Sequence, residues 1–339
     1  MSATINAKKI KFHVLGNGFD NVRNDSGKGL PAPDYHDLSG MTLACIDQTN
    51  TYVWLTDEGN WLHKIKLDTW EFQSHSLPIG SIHHPCNVEN NYGVDLVSYS
   101  RIVIFDLTSG AIIKDISGSY SKFYGISDCI LVDDDIYLVR VYPQNSDSSI
   151  LHISLNDETI SEATIWNNCV SGFVDNNTIY SHWQKVWFSS NSNINGIGLD
   201  GGGQWYASED VGQGATFAVP LQGICGNGRI YVPTPKGGVW TLGAYDGNTA
   251  PNFITPAPIK TFGNFGSQPN IQWQYSRLNY CYTQGKTKCA FATDIGTFLT
   301  DFTSLEKLED NPSNMQPLAM NDSVIVSRAG NNQISVTYI

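Results

Sequence analysis

The chain has 339 residues, 41% hydrophobic and 15% charged, with 31 Gly and 14 Pro, a balance that favours strands and turns over helices. Its 20 Lys and Arg against 32 Asp and Glu give a formal net charge of −12. The cations are dispersed rather than clustered, which excludes a nucleic-acid backbone as the expected partner. No apolar run approaches the ~20 residues of a spanning helix, so membrane insertion is excluded too.

The first readable element is a strand over Ile10-Lys11-Phe12-His13-Val14-Leu15, followed by a loop rich in Gly, Pro and Asp up to residue 40. Residues 1–40 are therefore read as a closing strand and loop, and residues 41–339 as the main domain. The segment Met1–Lys9 lacks the apolar core of a secretory signal. The protein is accordingly expected in the cytoplasm when made, or outside the cell only as part of a larger particle such as a virion.

From residue 41 the chain repeats. Cys45, Cys86, Cys129, Cys169, Cys225 and Cys281 are spaced 41, 43, 40, 56 and 56 residues apart, and a period of 40 to 50 residues marks a repeat architecture. After Cys45 comes the run Tyr52-Val53-Trp54-Leu55, then Thr56-Asp57-Glu58-Gly59-Asn60-Trp61 as a turn into another strand, then the closing turn Leu67-Asp68-Thr69. The second unit reads Cys86, Val94-Asp95-Leu96-Val97, then Asp106-Leu107-Thr108-Ser109-Gly110. The third reads Cys129, Ile136-Tyr137-Leu138-Val139 and Leu155-Asn156-Asp157, with an excursion from Tyr142 to Ser149 lengthening one hairpin. The fourth has Cys169, Ile179-Tyr180 and Leu199-Asp200-Gly201-Gly202, then a second excursion carrying Trp205 and Tyr206. In the fifth, Cys225, Ile230-Tyr231-Val232 and Tyr245-Asp246-Gly247-Asn248 precede a long connection with Phe253, Phe262, Phe265, Trp273 and Tyr275. Cys281, Thr293-Asp294-Ile295-Gly296-Thr297-Phe298 and Phe302-Thr303-Ser304 form the sixth. The last unit holds only Leu318-Ala319-Met320, Val324-Ile325-Val326 and Gln333–Ile339, so the N-terminal strand is free to complete it.

A meander of four strands in about 45 residues is one blade of a propeller. The expectation is an all-β, seven-bladed β-propeller of four-stranded antiparallel blades, its ring closed by the N-terminal strand. Val103-Ile104-Phe105-Asp106-Leu107-Thr108-Ser109-Gly110 resembles the third-strand signature of the broad WD40-like, YVTN-like and quinoprotein-like propellers. The resemblance covers roughly residues 41–339 as a pattern, although no blade carries the paired Gly-His and Trp-Asp words of a strict WD40 repeat. It implies the fold and leaves the activity open.

Seven cysteines, odd in number and regularly placed, argue against a disulfide framework. Six of them are expected as reduced thiols at equivalent positions on the inner strands, where a small apolar side chain fits. His83-His84-Pro85-Cys86 has metal-ligating residue types, but adjacent strand residues point to opposite faces. Asp133-Asp134-Asp135 reads as a solvated turn that would hold Ca²⁺ only if carbonyls converged on it. Ser208-Glu209-Asp210-Val211-Gly212 approaches the Asp-box turn of sialidases, a structural feature, while the arginines are scattered one per unit rather than clustered. No catalytic residue, metal site or cofactor is assigned, and an enzyme is not expected.

The candidate binding residues are Tyr142, Trp205, Tyr206, Phe262, Trp273 and Tyr275, aromatics set among amides in long loops, where binding usually lies. Flat apolar area with polar edges suits a protein partner or a sugar ring. Three functions follow, in order: a non-enzymatic module of a larger assembly, such as a phage tail or capsid-surface protein; a soluble glycan-binding propeller; and a propeller glycoside hydrolase.

Overall fold

Antiparallel ladders account for almost every segment that the computed structural model describes, namely residues 9–14, 41–47, 49–57, 61–67, 69, 71–78, 86–88, 92–98, 101–117, 125–142, 147–157, 159–166, 171–174, 178–184, 191–198, 205–210, 224–227, 229–236, 239–246, 260–262, 280–293, 295–311, 314–329 and 333–339. Strand β1 (Lys9–Val14) comes first. The first blade is β2 (Met41–Ile46), β3 (Tyr52–Asp57), β4 (Trp61–Lys66) and β5 (Phe72–Ser76). The second is β6 (Cys86–Val88), β7 (Tyr92–Ser98), β8 (Arg101–Asp106) and β9 (Ile112–Ser117), and the third is β10 (Gly125–Val132), β11 (Asp135–Tyr142), β12 (Asp147–Ser154) and β13 (Ile160–Trp166). The fourth is β14 (Ser171–Val174), β15 (Thr178–Gln184), β16 (Asn191–Gly198) and β17 (Trp205–Asp210). The fifth is β18 (Ile224–Gly226), β19 (Arg229–Lys236), β20 (Val239–Asp246) and β21 (Lys260–Thr261). The sixth is β22 (Tyr280–Tyr282), β23 (Cys289–Thr293), β24 (Gly296–Thr300) and β25 (Leu305–Glu309). The seventh is β26 (Gln316–Met320), β27 (Val324–Ala329) and β28 (Gln333–Tyr338), with β1 as its outermost strand.

These are seven four-stranded sheets, as the repeat predicts. Their innermost strands neighbour one another in turn, β2 beside β6, β6 beside β10, β10 beside β14, β14 beside β18, then β22 beside β26 and β26 beside β2. Strand β1 pairs with β28 from Lys9 opposite Tyr338 to Val14 opposite Gln333, so the last blade joins the two ends of the chain.

The core lies between blades. Along β8, Ile102 and Ile104 pack with Cys129, Leu138 and Leu151 of the third blade, while Val103 and Phe105 pack with Trp54 and Leu62 of the first. All four are fully buried. A blade strand is thus covered on both faces and reads as a continuous apolar run rather than an alternating one, the sequence mark of a doubly buried strand. The same arrangement joins the seventh blade to the first through Val326, Val336, Val53 and Leu55, and the fifth to the sixth through Tyr231, Phe291 and Phe302.

Cys45, Cys86, Cys129, Cys225 and Cys281 do fall on innermost strands, but not at equivalent positions. Cys45 and Cys281 pack toward the following blade, whereas Cys129, placed like Ala44 and not like Cys45, packs toward the preceding one. A shift of one residue in a strand reverses the face a side chain occupies. Cys129 also departs from the expected reduced thiols, for it is disulfide-bonded. Cys169 lies outside the described residues.

The meander sorts the connections onto two faces. Turns from first to second and from third to fourth strand lie at one end of each blade. Turns from second to third strand, and the links from one blade to the next, lie at the other. Among the described residues no helix is long and apolar enough to cross a membrane.

Candidate interaction face

The face of tight turns is held by side chains that answer their own backbone. In the second blade the Asp106 Oδ1 accepts from Thr108 N (2.6 Å), Thr108 Oγ1 (2.6 Å) and Ser109 N (3.0 Å). The sixth repeats the arrangement with Asp301 Oδ1, Thr303 N (2.9 Å), Thr303 Oγ1 (2.7 Å) and Ser304 N (2.7 Å). Such Asp-centred turns replace missing backbone partners. Burial alone pushes both carboxyls up, but the donated hydrogen bonds outweigh it, and both titrate below the ordinary aspartate value. Gly110 closes the Asp106 turn at φ +72°, where a Cβ would also meet the His75 ring and Leu77 Cδ2 at 2.9 Å.

Turns of neighbouring blades are stitched to one another on this face. Asn227 Nδ2 of the fifth blade donates to Thr287 O (3.0 Å) and Asp301 O (3.3 Å) of the sixth. Lys288 Nζ of the sixth reaches Asp322 of the seventh, with its carboxylate at 3.4 Å. Asn321 Nδ2 of the seventh donates to Asp47 O (3.2 Å) of the first and also contacts Asn50. The polar groups of these described turns thus serve the fold itself.

At the opposite face end and begin the strands that flank residues 15–40, 211–223 and 263–279, which themselves lie outside the described residues. Of the six candidate aromatics, Tyr142 and Phe262 stand at strand ends on this face. Tyr142 ends β11 opposite Asp147, so the excursion extends the paired hairpin and leaves only residues 143–146 as its loop. Its side chain is outside what the structure describes. Phe262 follows β21 and is partly buried, its ring centroid 5.1 Å from that of Tyr231, which also meets Phe302 at 5.4 Å. That ring therefore packs on the core at the root of the link. Trp273 and Tyr275 fall within the link and lie outside the described residues.

Trp205 and Tyr206 sit elsewhere. They open β17 opposite Gly196 and Asn195, at the end of the blade where the tight turns lie, and are strand residues rather than loop ones. Ser208-Glu209-Asp210 continues the same strand, and the remainder of the segment that approaches an Asp box lies outside the described residues. The side chains of Trp205 and Tyr206 are likewise outside the description. Of the six candidates, Tyr142 and Phe262 therefore stand at strand ends on one face and Trp205 and Tyr206 at the start of a strand on the other.

Two groupings were not foreseen. Asp135 Oδ2 stands 3.0 Å from His152 Nε2, off the hydrogen-bonding direction; the Tyr137 ring stacks on the imidazole at 4.8 Å and 9°, and Ser161 Oγ is 3.5 Å from Nδ1. Asp, His and Ser are the residue types of nucleophilic hydrolysis, but the hydroxyl is at the limit of a hydrogen bond and the histidine and aspartate stand more than a third exposed. The three aspartates also part company: Asp134 takes Asn156 Nδ2 at 3.0 Å, Asp135 lies on His152, and Asp133 forms the turn at φ 55°. The second grouping is Lys64 Nζ, 4.1 Å from the Tyr52 ring centroid and 5.8 Å from that of Trp54, a cation capping an aromatic pair at the edge of the core between the first two blades. Both groupings come from cross-strand register, which spacing along the chain conceals. His83-His84-Pro85 lies outside the described residues.

No family model matches the sequence, and no curated protein is similar to it. Solved structures are. The chain is similar to U3-55K with a TM-score of 0.58 at 8% identity, covering 97% of this chain and 98% of that one. It is similar to the RRP9 WD40 repeats with the same score and identity over 97% of each chain, and to the Pan2 WD40 domain of Neurospora crassa with a TM-score of 0.54 at 12% identity, over 96% of this chain and 95% of that one. At these identities the likeness shows the fold, a WD40-like β-propeller.

Proposed function

We propose that this chain is a non-catalytic propeller that binds protein partners within a larger assembly, through the face that carries the links between blades. The observation that supports this is the asymmetry of the two faces. One carries short turns at every described blade apart from the connection between β20 and β21, and the polar groups of the described turns are answered by their own blade or the next. The other is where three of the four longest connections leave and rejoin the described strands, and long loops on a rigid scaffold are where recognition resides. The WD40-like neighbours are in keeping with an interaction scaffold, by analogy of fold.

As a finer reading, the assembly is the exterior of a virus particle, such as a phage tail or capsid surface; the composition, poor in charge and rich in Gly, supports it. The test is fractionation of material from the chain's source. Co-migration with a large particle, lost when residues 264–278 are replaced by a short Gly-Ser linker that leaves the circular dichroism of strands intact, is the expected result. A chain that migrates alone near its own 37.4 kDa sinks the proposal. A glycan screen separates the sugar-binding reading: saturable binding lost in Trp273→Ala would replace a protein partner by a carbohydrate one.

A further inference from the structure

The chain has seven cysteines. Cys45, Cys225, Cys281 and Cys289 are buried thiols outside any disulfide, while Cys129 is disulfide-bonded. Only Cys86 and Cys169 remain as its partner.

The direction of Cys129 separates them. Its side chain, 2% exposed, packs among Val94, Ile102 and Ile104 of the second blade. Position 86 opens β6, the innermost strand of that same blade, and pairs directly opposite Val94. Residues directly opposite in an antiparallel pair share one face of the sheet. Position 86 is therefore on the face that carries Val94, the face turned to Cys129, and β6 and β10 are neighbours. Cys169 lies outside the described residues; the strand that follows it in the chain, β14, belongs to the fourth blade, whereas Cys129 packs toward the second. We propose that Cys86 and Cys129 form a disulfide that ties the innermost strands of the second and third blades across their shared core.

The chemistry is thiol–disulfide exchange with a low-molecular-weight or protein disulfide as oxidant. The oxidant's S–S bond breaks, the Cys86–Cys129 bond forms, and the oxidant leaves as two thiols carrying the two protons lost by the cysteines. Exchange needs access to the sulfur, and Cys129 is enclosed between two blades. The bond accordingly forms before those blades close, and the folded protein shields it from reductant. The other thiols do not compete: burial pushes Cys45 up, with Asp106 and Asp47 adding to it, and burial pushes Cys281 up as well.

The experiment uses full-length protein produced in an oxidising compartment and purified without reductant. Denatured in guanidinium with excess N-ethylmaleimide, it is expected to take up five adducts, and seven if reduced first, as the seven cysteines with one bridge require. A non-reducing digest should give one cross-linked pair, holding Cys86 and Cys129. Cys169→Ser should keep that pair, whereas Cys86→Ser should abolish it and lower the melting temperature by several degrees in the absence of reductant. Seven adducts without reduction, or a peptide joining Cys129 to Cys169, overturns the proposal. The digest of the unaltered chain decides this even where a variant fails to fold.

Discussion

Asp106 and Asp301 serve as matched anchors, each gathering hydrogen bonds from the two residues that follow the next one along. Hydrogen bonds to a charged acceptor are worth about 1.5–3 kcal/mol where sheltered, and the part of each turn that stands in solvent reduces this to roughly 1–2 kcal/mol through screening. Asp106→Ala is expected to lose about that much unfolding free energy in a urea titration. Because the folded carboxyls titrate below the unfolded value of about 3.9, their stabilisation is full above that pH and disappears as pH falls through the folded value. The urea midpoint should therefore begin to drop as pH falls below about 4. Asp106→Asn with Asp301→Asn keeps the acceptor oxygens and should flatten that drop. Gly226 makes the opposite kind of demand: a Cβ there would stand 2.0 Å from Lys286 O and 2.3 Å from Phe302 Cε2. Gly226→Ala should cost about 1–3 kcal/mol or more by overpacking, read by the same titration.

At the scale of the strand, β8 and β1 are the informative pair. Ile104 is fully buried between two blades, so Ile104→Ala is expected to cost about 2–5 kcal/mol. Strand β1 is held by β28 alone among the strong strand contacts, and deleting residues 1–14 should lower the thermal midpoint and raise light scattering, because β28 is left as an unpaired edge. Strands of the β8 kind were legible in the sequence, since burial on both faces leaves an unbroken apolar run before an Asp-Leu-Thr-Ser-Gly turn. Strand β17 was not. An outermost strand needs little apolar content, and Ser208-Glu209-Asp210 after three glycines reads as loop until its pairing with β16 is seen. The cysteines misled in a similar way: their spacing located the innermost strands, but a one-residue offset decides which neighbour a side chain meets, and spacing over 40 residues does not carry that information. The candidate residues were legible only as aromatics outside the apolar runs, because the end of a blade at which such a residue stands, as Trp205 does at the start of β17, is a property of strand order.

Across the whole molecule, the fold stitches the described turns of one face to one another and brings the ends of successive blades to the other. Replacing residues 264–278 by a short linker is expected to leave stability nearly unchanged, since loop length alters closure entropy only slowly, while removing partner binding. The seventh blade adds a mechanical consequence. Lys9 lies opposite Tyr338, so the two ends of the chain leave the ring side by side at one end of a single ladder. A load applied through those ends does not shear that ladder but peels it, rung after rung, from Lys9 toward Val14. In a single-molecule pulling experiment the ring should open in a first, low-force step, with the other six blades yielding afterwards at higher force.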